Sequence, residues 1–145
     1  MQLLEVGHLG LTCAAFLARR GAKVTIYEKR ENLGGILRYG IPNFRLDKNL
    51  LDNVINKILS LGIETKTNYE LGKNLFLDEL EKSYDAIFIG IGANIPWKMG
   101  IEGENLEGVY GANTLLENGI HPNYEGKNVA IIRRAEMLQW IQQEL

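Results

Sequence analysis

The feature that most constrains the fold is a glycine-containing turn near the start of the chain. Residues 3–6 predict a short strand before the turn, and residues 11–20, rich in Ala and Leu, predict a helix that ends at Gly21. Residues 23–27 are β-branched and aromatic and predict a second strand. A strand–helix–strand unit of this length places its two strands parallel, and it predicts an α/β fold.

The turn itself has two of the three glycines of a phosphate-binding G-x-G-x-x-G pattern. Gly7 and Gly10 fill the second and third positions, and Glu5 stands at the first. Glycines there let the backbone and a helix N-terminus approach a pyrophosphate, whereas a carboxylate would repel it. Glu28 ends the second strand, where a carboxylate typically accepts hydrogen bonds from a ribose hydroxyl. A lone Glu at a strand end is more often a solvated charge, but the strand–helix–strand frame favours a nucleotide site.

The rest of the chain continues to alternate between helix and strand patterns. Residues 31–45 predict an ordered loop without helix or strand, and Asp47 predicts the N-cap of a helix that ends at Gly62. Further helices are predicted over 78–82 and 112–118, and strands over 63–67, 85–92 and 128–132, the last two buried. The fold class predicted is therefore α/β, a Rossmann-like parallel sheet with helices on both faces.

Composition excludes several classes of protein. The 145 residues are the length of one domain, and a net charge of −2 argues against a nucleic-acid-binding protein. One cysteine and two histidines exclude an internal disulfide, an iron–sulfur cluster and a structural zinc site, so no metal is expected. No apolar run is long enough to cross a membrane, and no signal peptide is recognisable, so a cytoplasmic setting is expected.

Several longer segments resemble the small (beta) subunit of NADPH-dependent glutamate synthase and its relatives. The relatives are the flavin domains of dihydropyrimidine dehydrogenase and of NADH-dependent ferredoxin–NADP oxidoreductase. The similarity extends over about residues 5–132, and its most specific segment is residues 34–46, with the sequence GGILRYGIPNFRL. The other similar segments are residues 10–14, 24–28, 85–93, 99–106, 108–109 and 126–132.

The resemblance implies the first part of an FAD-binding domain. In such a domain Gly7 and Gly10 approach the FAD pyrophosphate, and Glu28 holds the adenosine ribose. The remaining cofactor-binding residues implied lie along the dinucleotide, and they are Gly35, Leu37, Arg45, Gly92 and Ala93. The family passes electrons from NAD(P)H through FAD to iron–sulfur clusters and a partner, the large glutamate synthase subunit or another electron-transfer subunit. The flavin carries this chemistry, so no catalytic side chain is assigned.

Three departures from the family pattern shape the functional prediction. Glu5 replaces the first glycine, the cysteine-rich iron–sulfur domain is absent, and residues 133–136 read Arg-Arg-Ala-Glu where a second glycine turn opens the NADPH domain. These departures predict a partial FAD-binding domain over 1–132, truncated at both ends, and a helical tail over 133–145.

Such a truncated domain is expected to bind FAD weakly or not at all. The sequence also predicts that the NADPH site is missing, and that an uncovered sheet edge makes the chain a homo-oligomer. The alternative to an oxidoreductase domain is a non-catalytic module that binds a nucleotide or a protein. Tyr39 and Trp97 could each stack on a ring of a ligand or cover the core.

Overall fold

A parallel sheet of four strands organises the structure. The computed structural model describes residues 2–4, 7–92, 98–118 and 123–132. The strands are β1 (Gln2–Leu4), β2 (Thr25–Glu28), β3 (Glu64–Thr67) and β4 (Ile87–Ile89), in the spatial order β3-β2-β1-β4. Leu3 of β1 is in register with Ile26 of β2 on one side and Phe88 of β4 on the other. The predicted α/β class with a parallel sheet is therefore confirmed.

Helices connect the strands and cover the sheet. They are α1 (His8–Ala18), α2 (Gly35–Tyr39), α3 (Lys48–Leu59), α4 (Leu77–Ser83) and α5 (Ala112–Asn118). Ile26 of β2 is fully buried in a cluster with residues of α1 and α3, whereas its neighbour Tyr27 packs with Leu75 and with Leu80 of α4. Successive residues of a strand face opposite sides of a sheet. Helices therefore lie on both faces, as the sequence predicts.

Helix α3 forms where the sequence predicts it. Asp47 adopts an extended backbone conformation at the N-cap, and its Oδ1 accepts a hydrogen bond from the backbone N–H of Asn49 at 2.8 Å. Leu51 and Ile55, one helical turn apart, are buried in the main core. The cap satisfies a backbone donor that the helix cannot pair internally, and the buried side chains fix the helix against the sheet.

Helix α2 corrects the prediction that residues 31–45 contain no regular structure. A helix of five residues is too short to leave a periodic pattern in the sequence, and its stability comes from α3. The ammonium group of Lys48 donates hydrogen bonds to the carbonyl oxygens of Leu37 and Ile41, at 2.8 and 2.5 Å. Arg38 of α2 also forms an ion pair with Asp52 of α3.

Two strand predictions also differ from the structure. The strand predicted over 85–92 is only three residues long, and Ile89 is 50% exposed because β4 lies at the edge of the described sheet. Residues 128–132 form no strand, and Ile131 is 92% exposed, because no described strand lies alongside to pair with their backbone. The predicted tail helix, residues 133–145, lies outside the described residues, as does Glu5.

Tyr27 and Lys66 form a polar contact beside the α4 side of the sheet. The hydroxyl oxygens of Tyr27 and Tyr84 are 3.2 Å apart, and the ammonium group of Lys66 donates to the Tyr27 hydroxyl at 3.3 Å. Burial, together with the hydrogen bond to Tyr84, raises the pKa of Tyr27. The hydrogen bond to Tyr27 is the main reason that the pKa of Lys66 is raised as well.

Removing the cap of α3 should destabilise the protein. We expect Asp47→Ala to lower the free energy of unfolding by about 1 kcal/mol, because the Asn49 N–H then loses its acceptor. Urea denaturation followed by circular dichroism measures the change. Asp47→Asn keeps an acceptor at the same position and should stay within a few tenths of a kcal/mol of the wild type. Equal losses in the two variants would contradict a capping role.

The burial of Tyr27, together with the hydrogen bond that Lys66 donates to it, should make stability fall at alkaline pH. Both pKa values are raised in the folded state, so the stabilisation from the two protonated groups is complete below about pH 10 and is lost as the pH rises above it. Denaturation between neutral and strongly alkaline pH should show this decrease, and Tyr27→Phe should make the decrease less steep. Tyr110→Phe, which changes an exposed tyrosine, should leave the pH dependence as in the wild type. A pH dependence that Tyr27→Phe leaves unchanged would refute the assignment.

Candidate functional site

A cavity of about 300 Å³ opens at the carboxyl ends of β2 and β4, beside the start of α1. This is the edge of an open parallel sheet at which α/β proteins bind ligands. Five parts of the chain contribute to its wall: the start of α1, the residues at and after the end of β2, helix α2, the residues after β4, and helix α5. The lining residues are Gly7, His8, Leu9, Glu28, Arg30, Gly35, Ile36, Tyr39, Gly40, Gly90, Ile91, Gly92, Asn113, Leu116 and Glu117.

The start of α1 presents a helix N-terminus to this cavity. Gly7 is the N-cap, no side chain caps the helix there, and the first turn carries no acidic residue. A Cβ atom placed on Gly7 would meet no other atom within 4 Å, so a side chain at this position would extend into open space. The backbone N–H groups and the positive end of the helix dipole make such a terminus a favourable place for a phosphate.

Glu28 places a fixed carboxylate in the cavity wall. The residue is only 3% exposed, and its Oε1 accepts a hydrogen bond from the backbone N–H of Arg30 at 3.0 Å. Its carbonyl oxygen accepts from the backbone N–H of Tyr69 at 3.0 Å. The carboxylate is therefore held in one orientation at the end of β2.

Arg30 brings a positive charge to the same wall. Its guanidinium group lies over the ring of Tyr39, 4.2 Å from the ring centroid, and forms an ion pair with Glu117 of α5. Tyr39 thus contacts a cation of the protein. The sequence pointed to neither Arg30 nor Glu117, because 86 positions separate the two and no local pattern links them.

Helix α2 is held in place by contacts beneath the cavity. Gly34, its N-cap, has a φ of 122°, and a Cβ atom there would lie 3.3 Å from both the Arg38 Cβ and the Leu51 Cδ2. Arg38 Nε donates to the carbonyl oxygen of Leu33 at 2.7 Å. Burial, and to a lesser degree the neighbouring Arg38, lowers the pKa of Lys48, the residue that ties α2 to α3.

The structure brings together half of the residues predicted to bind a cofactor. Gly7, Glu28, Gly35 and Gly92 line the cavity. The other four do not share this placement: Gly10 is buried inside α1, Leu37 packs against the main core, Arg45 is exposed, and Ala93 lies outside the described residues. The cofactor role of all eight stays a prediction.

No helix in the part of the chain that the structure describes is long and apolar enough to cross a membrane. No group of three or more His, Cys, Asp or Glu side chains in the described ranges is placed to hold a metal ion.

Comparisons with known proteins agree with this fold. Residues 7–50 match the family model of the NAD(P)-binding Rossmann-like domain. Over 114 residues, 79% of its length, the chain is 41% identical to the putative oxidoreductase AegA of Escherichia coli (strain K12), of which it covers 17%. It is 37% identical to the glutamate synthase [NADPH] small chain of the same bacterium over 114 residues, again 79% of this chain and 24% of that one.

A solved structure shares the fold. FprA of Mycobacterium tuberculosis, in complex with NADPH, aligns with a TM-score of 0.69 and 21% identity over 74% of this chain and 26% of that chain. The fold is that of a Rossmann-like domain, and residues 7–50 are similar to the NAD(P)-binding members of this fold. The chain is homologous to one segment of the glutamate synthase small subunit and related oxidoreductases, which confirms the resemblance seen in its sequence. It spans about a quarter or less of these relatives.

A side chain at Gly34 should loosen α2. We expect Gly34→Ala to lower the free energy of unfolding by about 1–3 kcal/mol, because the backbone is strained for any residue with a Cβ and the methyl group would also crowd Arg38 and Leu51. Denaturant unfolding of the full chain measures the loss. Gly21→Ala is a matched control, since Gly21 has a φ of 86° but open space around its Cβ position. Gly34→Ala should cost more than Gly21→Ala, and the reverse order would contradict the packing described for α2.

Proposed function

We propose that this chain provides the adenosine diphosphate part of an FAD site in a flavin-dependent NAD(P)H oxidoreductase of the glutamate synthase small-subunit type. The observation that supports this proposal is that the buried carboxylate of Glu28 and the uncapped start of α1 line one cavity. An adenosine diphosphate group offers a matching pair of features, which are ribose hydroxyls that donate hydrogen bonds and a pyrophosphate that is negatively charged.

The cavity fits this part of a dinucleotide. A carboxylate accepts several hydrogen bonds at once, so Glu28 can bind a ribose hydroxyl while it holds the N–H of Arg30. The pyrophosphate would lie at Gly7 and the first turn of α1, where no side chain fills the space. A volume of about 300 Å³ is at the lower end of the range for ligand pockets, which suits part of a dinucleotide.

An FAD site is compatible with the match to an NAD(P)-binding family. The reason is that FAD and NAD(P)H both contain an adenosine diphosphate group. When bound, FAD would supply hydride and electron-transfer chemistry. Gly7, Glu28 and the α2 wall would bind and orient its adenosine diphosphate part.

The partners proposed follow from the same family. The whole protein would pass electrons to a second subunit, as the name "small chain" of its relative suggests. The sequence predicts that FAD binds to this chain weakly or not at all, with Glu5 at the first glycine position as one cause. Because Glu28 and the start of α1 line one cavity, weak binding is the outcome that we propose. We also keep the prediction that NADPH has no site of its own here, because residues 133–136 lack glycine.

Titration of the purified chain with FAD and ADP tests the proposal. We expect saturable binding, followed by quenching of FAD fluorescence, and competition between the two ligands for one site. Glu28→Gln should weaken both by about tenfold or more, because a hydrogen bond to a charged acceptor is lost, while its amide oxygen still accepts from Arg30 N–H.

A carboxylate outside the cavity provides the control. Glu64→Gln changes a carboxylate of β3 that accepts a hydrogen bond from Thr25 but does not line the cavity, and it should leave both affinities unchanged. A folded wild-type chain that binds neither FAD nor ADP at millimolar concentration would refute the proposal. That result would favour the alternative, a non-catalytic module that contacts a protein.

A further inference from the structure

The cavity contains both of the groups that dinucleotide-binding sites use to recognise the adenosine ribose. A carboxylate at the end of the second strand binds a free 2′-hydroxyl, whereas a nearby arginine accommodates a 2′-phosphate. Here Glu28 and Arg30 lie two residues apart, and both line the cavity. The two side chains therefore favour different ligands, and their surroundings decide between them.

Arg30 is engaged by two other elements of the fold. Its guanidinium group lies over the Tyr39 ring of α2 and forms an ion pair with Glu117 of α5. Its backbone is fixed as well, because its N–H donates to Glu28 and its carbonyl oxygen accepts from the N–H of Asn68 at 3.2 Å. The ion pair is only partly open to solvent, with 22% of the Arg30 side chain and 31% of the Glu117 side chain exposed.

A 2′-phosphate would have to compete with Glu117 for Arg30. If a 2′-phosphate paired with the Arg30 guanidinium group instead, the Glu117 carboxylate would be left without a cation at the cavity wall. The 2′-phosphate would then lie near two carboxylates, those of Glu28 and Glu117. Like charges at short range in a partly desolvated site repel each other. A ligand with a free 2′-hydroxyl meets no such opposition, because it binds Glu28 and leaves the ion pair intact.

From this arrangement we infer that Glu117 is a specificity-determining residue, which holds Arg30 in an ion pair and so makes the site select adenosine ligands with a free 2′-hydroxyl over those with a 2′-phosphate. The inference rests on the proposed function, since it concerns the ribose end of the same site. It assigns α5 a role in ligand choice, exerted through a charge that opposes the wrong ligand.

Two ligands that differ by one phosphate group test this inference. The affinities of AMP and of adenosine 2′,5′-bisphosphate are measured by calorimetry at one fixed ionic strength. The wild type should prefer AMP by about tenfold or more, and Glu117→Gln should reduce that preference by about tenfold through tighter binding of the bisphosphate. The affinity for AMP should stay within about threefold of the wild type, because Glu28 is unchanged.

Further variants separate the ion pair from a general change in charge. Glu107→Gln removes the same charge from an exposed residue that does not line the cavity, and the preference should then stay as in the wild type. Adding Arg30→Gln to Glu117→Gln should abolish the gain in bisphosphate affinity. Glu117→Ala also places a strong helix former in α5, and it should reproduce the effect of Glu117→Gln. With two variants, the test does not depend on the folding of either one alone.

The outcomes distinguish this inference from the proposed function. If AMP binds and the ratio of affinities is the same in the wild type and the Glu117 variants, the inference is wrong and the nucleotide site stands. If the folded wild type binds none of FAD, ADP and AMP, the proposed function is wrong, and the inference fails with it.

Discussion

The burial of β2 on both of its faces is the constraint on which the rest of the structure depends. Each residue of this short strand, Thr25–Glu28, is buried. Ile26 joins the cluster beneath α1 and α3, and Tyr27 joins the cluster beneath α4, so one strand holds both layers of helices in place. Because β2 pairs with β1 and β3, its position also sets where Glu28 emerges at the edge of the sheet. The Glu28 carboxylate forms part of the cavity wall.

Helix α3 packs against the sheet and holds α2, which forms another wall of the cavity, in place. Its buried residues fix it against the sheet, and its first turn supplies Lys48, whose ammonium group binds the carbonyl oxygens of Leu37 and Ile41. The Arg38–Asp52 ion pair adds a second link between α2 and α3. A helix of five residues has little stability alone. The cavity wall formed by α2 therefore depends on the packing of a longer neighbour.

The charges around the cavity suit a ligand that has both a phosphate and a sugar. The N-terminus of α1 offers N–H groups and a partial positive charge, its first turn carries no acidic residue, and Glu28 offers a buried acceptor. Arg30 would add a strong attraction for anions if it were alone. The ion pair with Glu117 offsets the charge of Arg30, so in the proposed site a phosphate would bind at the start of α1.

Local patterns in the sequence determined the strand–helix–strand unit, the capped helix α3 and the position of Glu28. Each of these depends on residues close together in the chain, such as an apolar repeat, the Asp47 cap or a carboxylate at the end of a β-branched run. The long segment similar to a known family added the class of protein. Only the tertiary structure decided the helical form of α2, the exposure of Ile89 at a sheet edge, and the pairing of Arg30 with Glu117. These features depend on contacts between residues that the fold brings together from distant parts of the chain, and no pattern within one segment encodes such contacts.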